Sequence, residues 1–188
     1  MWISYSKKIK ESGLLSNFSR SEIEKCDVCV ESKSTKKSYK PVERETELLS
    51  LIPSDLGDLK QIMTRGGKNY YITFIDDYSR YTKLYLLKHK DETGEMFLKY
   101  KVEVENQQGK KINRLRTDRG GEYESNSFKS FCEEYRIIHE TTPHYSPESN
   151  GVAERKNRTL KDMMNSILVS FGAALNLWGE AIISACHI

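Results

Sequence analysis

Three acidic residues stand where local structure gives them little to do. Asp55 interrupts an apolar run from Leu48 to Leu56. Asp118 closes a second short apolar run and is followed by the turn Arg119-Gly120-Gly121. Glu154 lies in the first turn of a long helical pattern. Residues 119–153, 35 positions, separate the second acid from the third. Each acid alone has an ordinary explanation: aspartate forms turns at strand ends, and glutamate near a helix N-terminus suits the macrodipole. As a set they offer chemistry. Carboxylate oxygens are hard ligands suited to Mg²⁺. Two strand-borne aspartates and one helix-borne glutamate can hold two metal ions about 3.5–4 Å apart, which activates an attacking water or hydroxyl and stabilises the leaving oxygen of a phosphodiester. Asp58 lies close enough in sequence to compete for the first position.

The helix that carries Glu154 has two faces. Val152, Leu160, Met163, Met164, Ile167 and Leu168 recur at helical spacing as a core stripe. Glu154, Arg158 and Lys161 follow at i, i+4 and i+7 on a different face. That face is either a solvated surface with a Glu–Arg pair or a metal ligand flanked by phosphate contacts, which fix position along a nucleic acid and not its sequence. Cys26 and Cys29 form a CxxC, half of a closed tetrahedral zinc site. No histidine precedes His89 to complete it, so the pair reads as a degenerate half-site and zinc is not expected.

These residues need a framework. Tyr70 to Ile75 and Tyr81 to Leu87 are rich in aromatic and β-branched residues and flank the turn Asp76-Asp77-Tyr78-Ser79-Arg80, a hairpin pattern. Leu48 to Leu56 reads as a strand broken by Pro53, running from the edge of a sheet inward. Asp91 to Gln107 has helical spacing, Ile112 to Thr117 and Ile137-Ile138 are short strands, Ser127 to Tyr135 is a helix, and helices follow Gly151 and Asn176. Three early strands followed by alternating strands and helices predict an α/β fold, a mixed sheet flanked by helices. Residues 1–47 form a Ser- and Lys-rich segment ending in a solvated linker, and 48–188 the core. The 188 residues carry a net charge of +3, which permits a nucleic-acid partner without arguing for one. No stretch is long and apolar enough for a membrane span, and four cysteines with no signal peptide suit a reduced, intracellular setting.

Longer motifs add a resemblance. Leu115-Arg116-Thr117-Asp118-Arg119-Gly120-Gly121-Glu122-Tyr123, the run from Thr142-Pro143-His144-Tyr145 through Asn150-Gly151-Val152-Ala153-Glu154-Arg155-Lys156-Asn157-Arg158 to Leu160, Phe74-Ile75-Asp76-Asp77-Tyr78-Ser79-Arg80-Tyr81, and Leu177-Trp178-Gly179-Glu180-Ala181 resemble the integrase core of copia-type LTR retrotransposons. The match runs from about Cys26 to the end and preserves a D,D-35-E spacing. The resemblance implies an RNase H-like fold and a polynucleotidyl transferase that trims and joins 3′ ends of element DNA into a target. It implies Asp55, Asp118 and Glu154 as ligands of Mg²⁺ or Mn²⁺. Asn157, Arg158 and Lys161, with Lys156 beside them, would face the DNA end. Tyr145 to Asn150 would form a loop that closes over substrate.

The chain also departs from that family. The N-terminal zinc module lacks its two histidines. Around the first acid, Pro53 replaces the usual histidine and Gly57 the usual cysteine; Pro53 is expected to weaken the strand. No basic C-terminal domain follows Ile188, so the chain reads as a fragment of a longer polyprotein or a decayed copy. Two functions remain open: an active integrase core, or a catalytically inactive nucleic-acid-binding remnant of the same fold. The partners implied are element and target DNA and further copies of the chain, with no membrane. The family's action on chromosomal DNA implies nuclear access, although no localisation signal is visible.

Overall fold

The computed structural model describes residues 45–59, 62–118, 123, 126–142 and 150–188. The CxxC pair Cys26 and Cys29, the turn after Asp118 and most of the Tyr145–Asn150 loop lie outside these residues.

Five strands form one mixed sheet: β1 (Leu51–Asp58), β2 (Tyr70–Ile75), β3 (Thr82–Leu87), β4 (Arg114–Thr117) and β5 (Ile138–Thr141). Their spatial order is β3-β2-β1-β4-β5. The β1–β2–β3 meander is antiparallel, whereas β4 pairs parallel with β1 and with β5. Among the described residues four α-helices accompany the sheet: α1 (Thr93–Gln108), α2 (Asn126–Glu134), α3 (Gly151–Ser170) and α4 (Trp178–His187). Among the described residues no helix is long and apolar enough to cross a membrane.

Strand alternation sorts the side chains onto two faces. Ile52, Ile72, Phe74 and Leu115 join Phe97, Tyr100, Val104, Phe128 and Cys132 in one buried cluster. That cluster packs the sheet against α1 and α2, with Phe74 stacked on Tyr100 at 5.0 Å between ring centroids. Tyr71 and Leu84 join Leu160, Met164, Leu168, Trp178 and Ile182 in a second cluster under α3 and α4. Leu160, Met164 and Leu168 come from the expected core stripe and are buried. Truncating a fully buried aromatic such as Phe97 costs about 3–5 kcal/mol by lost burial and cavity formation.

The structure corrects the expectation for Pro53. The β1 strand is central, not an edge, and runs unbroken for 8 residues through the proline. Its first part pairs with β4, ending at Pro53↔Arg116. Pairing with β2 begins at Ser54↔Phe74. The missing N–H therefore falls where the strand passes from one partner to the other, and no long ladder is interrupted there.

The Asp76-Asp77-Tyr78-Ser79-Arg80 turn ties the hairpin to the start of β1. Asp76 is buried; its Oδ1 accepts a bond from the Leu49 N–H at 2.8 Å and its Oδ2 one from the Ser79 N–H at 2.8 Å. Asp77 accepts from the Arg80 guanidinium at 2.8 Å and from the Glu45 N–H at 3.2 Å. Glu45, expected in the linker, is thus bound to the core. Its carboxylate also accepts from Ser50 Oγ and pairs with Arg114.

Candidate active site

The sheet places two of the three acids by register. Residues paired directly across an antiparallel ladder share a face, so Asp55↔Thr73 and Gly57↔Tyr71 look the same way, toward α3 and α4. Asp118 follows the last residue of β4. The β1–β4 pairing ends at Pro53↔Arg116, two residues before each of these acids, and the Asp118 charge is felt at Asp55. The third acid, Glu154, is exposed in the first turn of α3.

The α3 helix is fastened to β1 at two points. At its start, Asn150 is buried and its Nδ2 donates to the Ser54 carbonyl at 3.3 Å. Two turns on, Asn157 Nδ2 donates to Asp55 Oδ2 at 2.7 Å, and Asn157 Oδ1 accepts from Thr73 Oγ1 at 2.9 Å. Ser54 is held from the opposite face by the Tyr123 hydroxyl at 2.9 Å.

The electrostatics report the convergence. Burial raises the pKa of Asp55 above the usual carboxylate range; the bond from Asn157 opposes this, the negative charges of Asp118 and Glu154 add to it, and Lys161 draws it back. Asp118 and Glu154 therefore both lie near enough to act on Asp55. Tyr71 is fully buried, and among the described residues its hydroxyl has no hydrogen-bond partner. Burial and then the Asp55 charge push its pKa up. Behind β4, His139 bonds Thr117 Oγ1 at 2.9 Å, and burial followed by the Lys129 charge lowers its pKa.

The donor set fits a hard divalent cation: three carboxylates with no soft ligand among them. Asp55 has Oδ2 committed to Asn157, while among the described residues no group bonds Oδ1. The cluster is not closed, however. Among the described residues no three His, Cys, Asp or Glu side chains stand near enough together to hold an ion as they are.

The expected DNA-facing residues separate. Arg158 is exposed, and Lys161 is half-buried within the field of Asp55. Lys156 acts electrostatically on Cys186 of α4 and lies toward that helix. Asn157 requires a correction: it is 4% exposed with both ends of its amide engaged inside the protein. It holds Asp55 and does not face a phosphate, because its helix position coincides with the buried stripe through Ala153, Leu160 and Met164. Sequence reasoning missed Thr73 and Tyr71, and took Asn150 only as the end of a loop closing over substrate, not as the buried donor to the Ser54 carbonyl. A hairpin register count would have found Thr73, a polar residue opposite Asp55 in an otherwise apolar strand.

Comparison with known proteins places this arrangement. Residues 54–147 match the family model described as integrase core domain. The retrovirus-related Pol polyprotein from transposon TNT 1-94 of Nicotiana tabacum is 38% identical over 181 residues, 96% of this chain and 14% of that protein. The Pol polyprotein from transposon RE2 of Arabidopsis thaliana is 32% identical over 157 residues, 84% of this chain and 10% of that protein. The chain thus spans a small part of these relatives. Among solved structures, a chain of the simian T-cell lymphotropic virus intasome in complex with PP2A regulatory subunit B56 gamma superposes with a TM-score of 0.62 at 19% identity, covering 86% of this chain and 55% of that one. The HTLV-2 integrase catalytic core domain in complex with magnesium, in its trimeric form, gives 0.54 at 21% identity, covering 76% and 86%. At these identities the likeness establishes the fold, RNase H-like as the sheet order and flanking helices indicate.

Proposed function

The chain belongs to the integrase core domain family, on its copia-type retrotransposon branch, and from that premise we propose that it carries the DNA-joining centre of a retrotransposon Pol polyprotein. The reaction is polynucleotidyl transfer: trimming of the 3′ ends of element DNA, then attack of those ends on target DNA. The observation that carries this reading is the approach of Asp118, just past the end of β4, and Glu154, in the first turn of α3, to Asp55 on β1, close enough for both charges to act on it.

Asp55, Asp118 and Glu154 would hold Mg²⁺ or Mn²⁺, which when bound supplies activation of the attacking oxygen and charge stabilisation of the leaving one. Asn157 fixes the rotamer of Asp55 through Oδ2 and leaves Oδ1 available. Asn150 and Asn157 together fix α3, and with it Glu154, against β1. Lys161 and Arg158 supply positive charge beside the acids for DNA phosphates, which orients the strand without reading its sequence. The partners are element ends and target DNA, and a homo-oligomer that brings two ends together; the HTLV-2 core is described in trimeric and dimeric forms. Action on chromosomal DNA requires access to the nucleus.

One observation favours a second reading, a nucleic-acid-binding remnant without turnover: the three acids do not close into a metal-holding cluster among the described residues. Incubation of the chain with an end-labelled duplex oligonucleotide and Mg²⁺ or Mn²⁺ separates the two. Joined products that vanish in D55N, D118N and E154Q support the transferase. DNA binding with no product under either metal supports the remnant.

A further inference from the structure

We propose that Thr73 is a positioning residue for the metal-binding centre: its hydroxyl sets which end of the Asn157 amide meets Asp55, and so holds the Asp55 carboxylate in place. This rests on the reading of Asp55 as a metal ligand.

An asparagine amide is two-faced, an acceptor oxygen on one side and a donor NH₂ on the other. Only the NH₂ side attracts a carboxylate. In the structure Asn157 Nδ2 meets Asp55 Oδ2 at 2.7 Å, and the oxygen end points to Thr73 Oγ1 at 2.9 Å. The Thr73 hydroxyl has one proton and two acceptors in reach, Asn157 Oδ1 and, at 3.3 Å, the Asp55 carbonyl. The shorter contact goes to Asn157. Both neighbours of the amide therefore favour the same orientation.

Among the described residues no other group donates to the Asn157 amide oxygen. Thr73 is 0% exposed and Asn157 4%, so bulk water does not reach the amide oxygen. The fold does not require a hydroxyl there either. Thr73 lies in β2 among Tyr71, Ile72, Phe74 and Ile75, where valine would match its shape and strand preference. With valine the buried Asn157 Oδ1 loses its donor, and an unpaired buried acceptor is costly enough to make the amide turn or tilt away. Asp55 then loses the group that fixes its rotamer. Groups that orient a metal ligand in this way typically change metal affinity by about 10–100-fold when removed.

The test compares the ¹⁵N-labelled chain with T73V and T73S by two readouts that need no turnover. The first is exchange of the Asn157 side-chain NH₂ protons with solvent. The second is the Mn²⁺ concentration that half-saturates the chain. T73V is expected to remain folded, to exchange these protons about 10-fold faster and to need about 10-fold more Mn²⁺; T73S is expected to restore both. A folded T73V with wild-type exchange and wild-type Mn²⁺ binding overturns the proposal, as does a T73S as impaired as T73V. A wild-type chain that takes up no Mn²⁺ overturns the metal-site reading instead, and the exchange rates then still decide whether Thr73 holds Asn157.

Discussion

The ring of Tyr71 lies across Gly57, its partner in the β1–β2 ladder. A Cβ on Gly57 would sit 2.1 Å from Cζ and 2.5 Å from the hydroxyl oxygen of Tyr71. Glycine weakens a strand interior because it packs nothing; here the tyrosine ring fills the space and meets Trp178 edge-on at 6.4 Å. The same contact brings the tyrosine hydroxyl into the field of Asp55.

G57A should therefore destabilise the chain, by about 1–3 kcal/mol as for other overpacked sites. Thermal unfolding checks this. Adding Y71L should recover part of the loss, because the smaller side chain vacates the space. A G57A chain as stable as wild type would mean that the ring is free to move aside.

Asp55 predicts a pH dependence of stability. Its folded pKa is raised above the ordinary 3.8, chiefly by burial. Between the two values the folded state holds more protons than the unfolded one, so stability falls as pH rises through that window, and the full penalty is present above it. D55N removes the charge. At pH 7 it should raise Tm. The advantage should vanish near pH 3.8 and below, where the wild-type carboxyl is protonated. Unfolding scans across pH 3–8 measure it.

N157A should cost stability as well as function. It removes the donor to Asp55 Oδ2 and the nearer acceptor of the Thr73 hydroxyl, which keeps the Asp55 carbonyl at 3.3 Å, a total loss of about 1–3 kcal/mol. N157A that melts with wild type would show that the amide is not engaged in solution.

Much of the framework was legible from residue pattern. The β2–β3 hairpin, the order of the later elements and the long helix from Gly151 to Ser170 match their expected places, because apolar periodicity decides where such segments bury. Pro53 was misread because a proline looks like an edge or a break until the pairing partners on either side of it are known. Asn157 was misread for a related reason. Its polarity and its neighbours Lys156 and Arg158 suggest a DNA-facing surface, while the decision to bury it comes from groups on other strands, Asp55 and Thr73. Tertiary partners of this kind leave no local trace.

The same revision alters the expected DNA footprint. Each cation that neutralises a phosphate on duplex DNA adds about 0.9 to the slope of log K against log salt. Arg158→Ala with Lys161→Ala should flatten that slope by about 2 and weaken all sequences alike. Lys156→Ala should change it less, since Lys156 lies toward Cys186 and α4. Binding isotherms across a salt series decide. An unchanged slope in the folded double variant would move the DNA off this helix.

The central claim is that Asp55, Asp118 and Glu154 act as one metal site although strand ends and a helix separate them. Titration of Mn²⁺ into the folded wild-type chain and into D55N, D118N and E154Q tests it most directly. The account predicts saturable binding in the wild type and its loss in each single variant, with all four chains folded. Wild-type affinity retained by any one of the three variants, or no binding in the wild type, would contradict it.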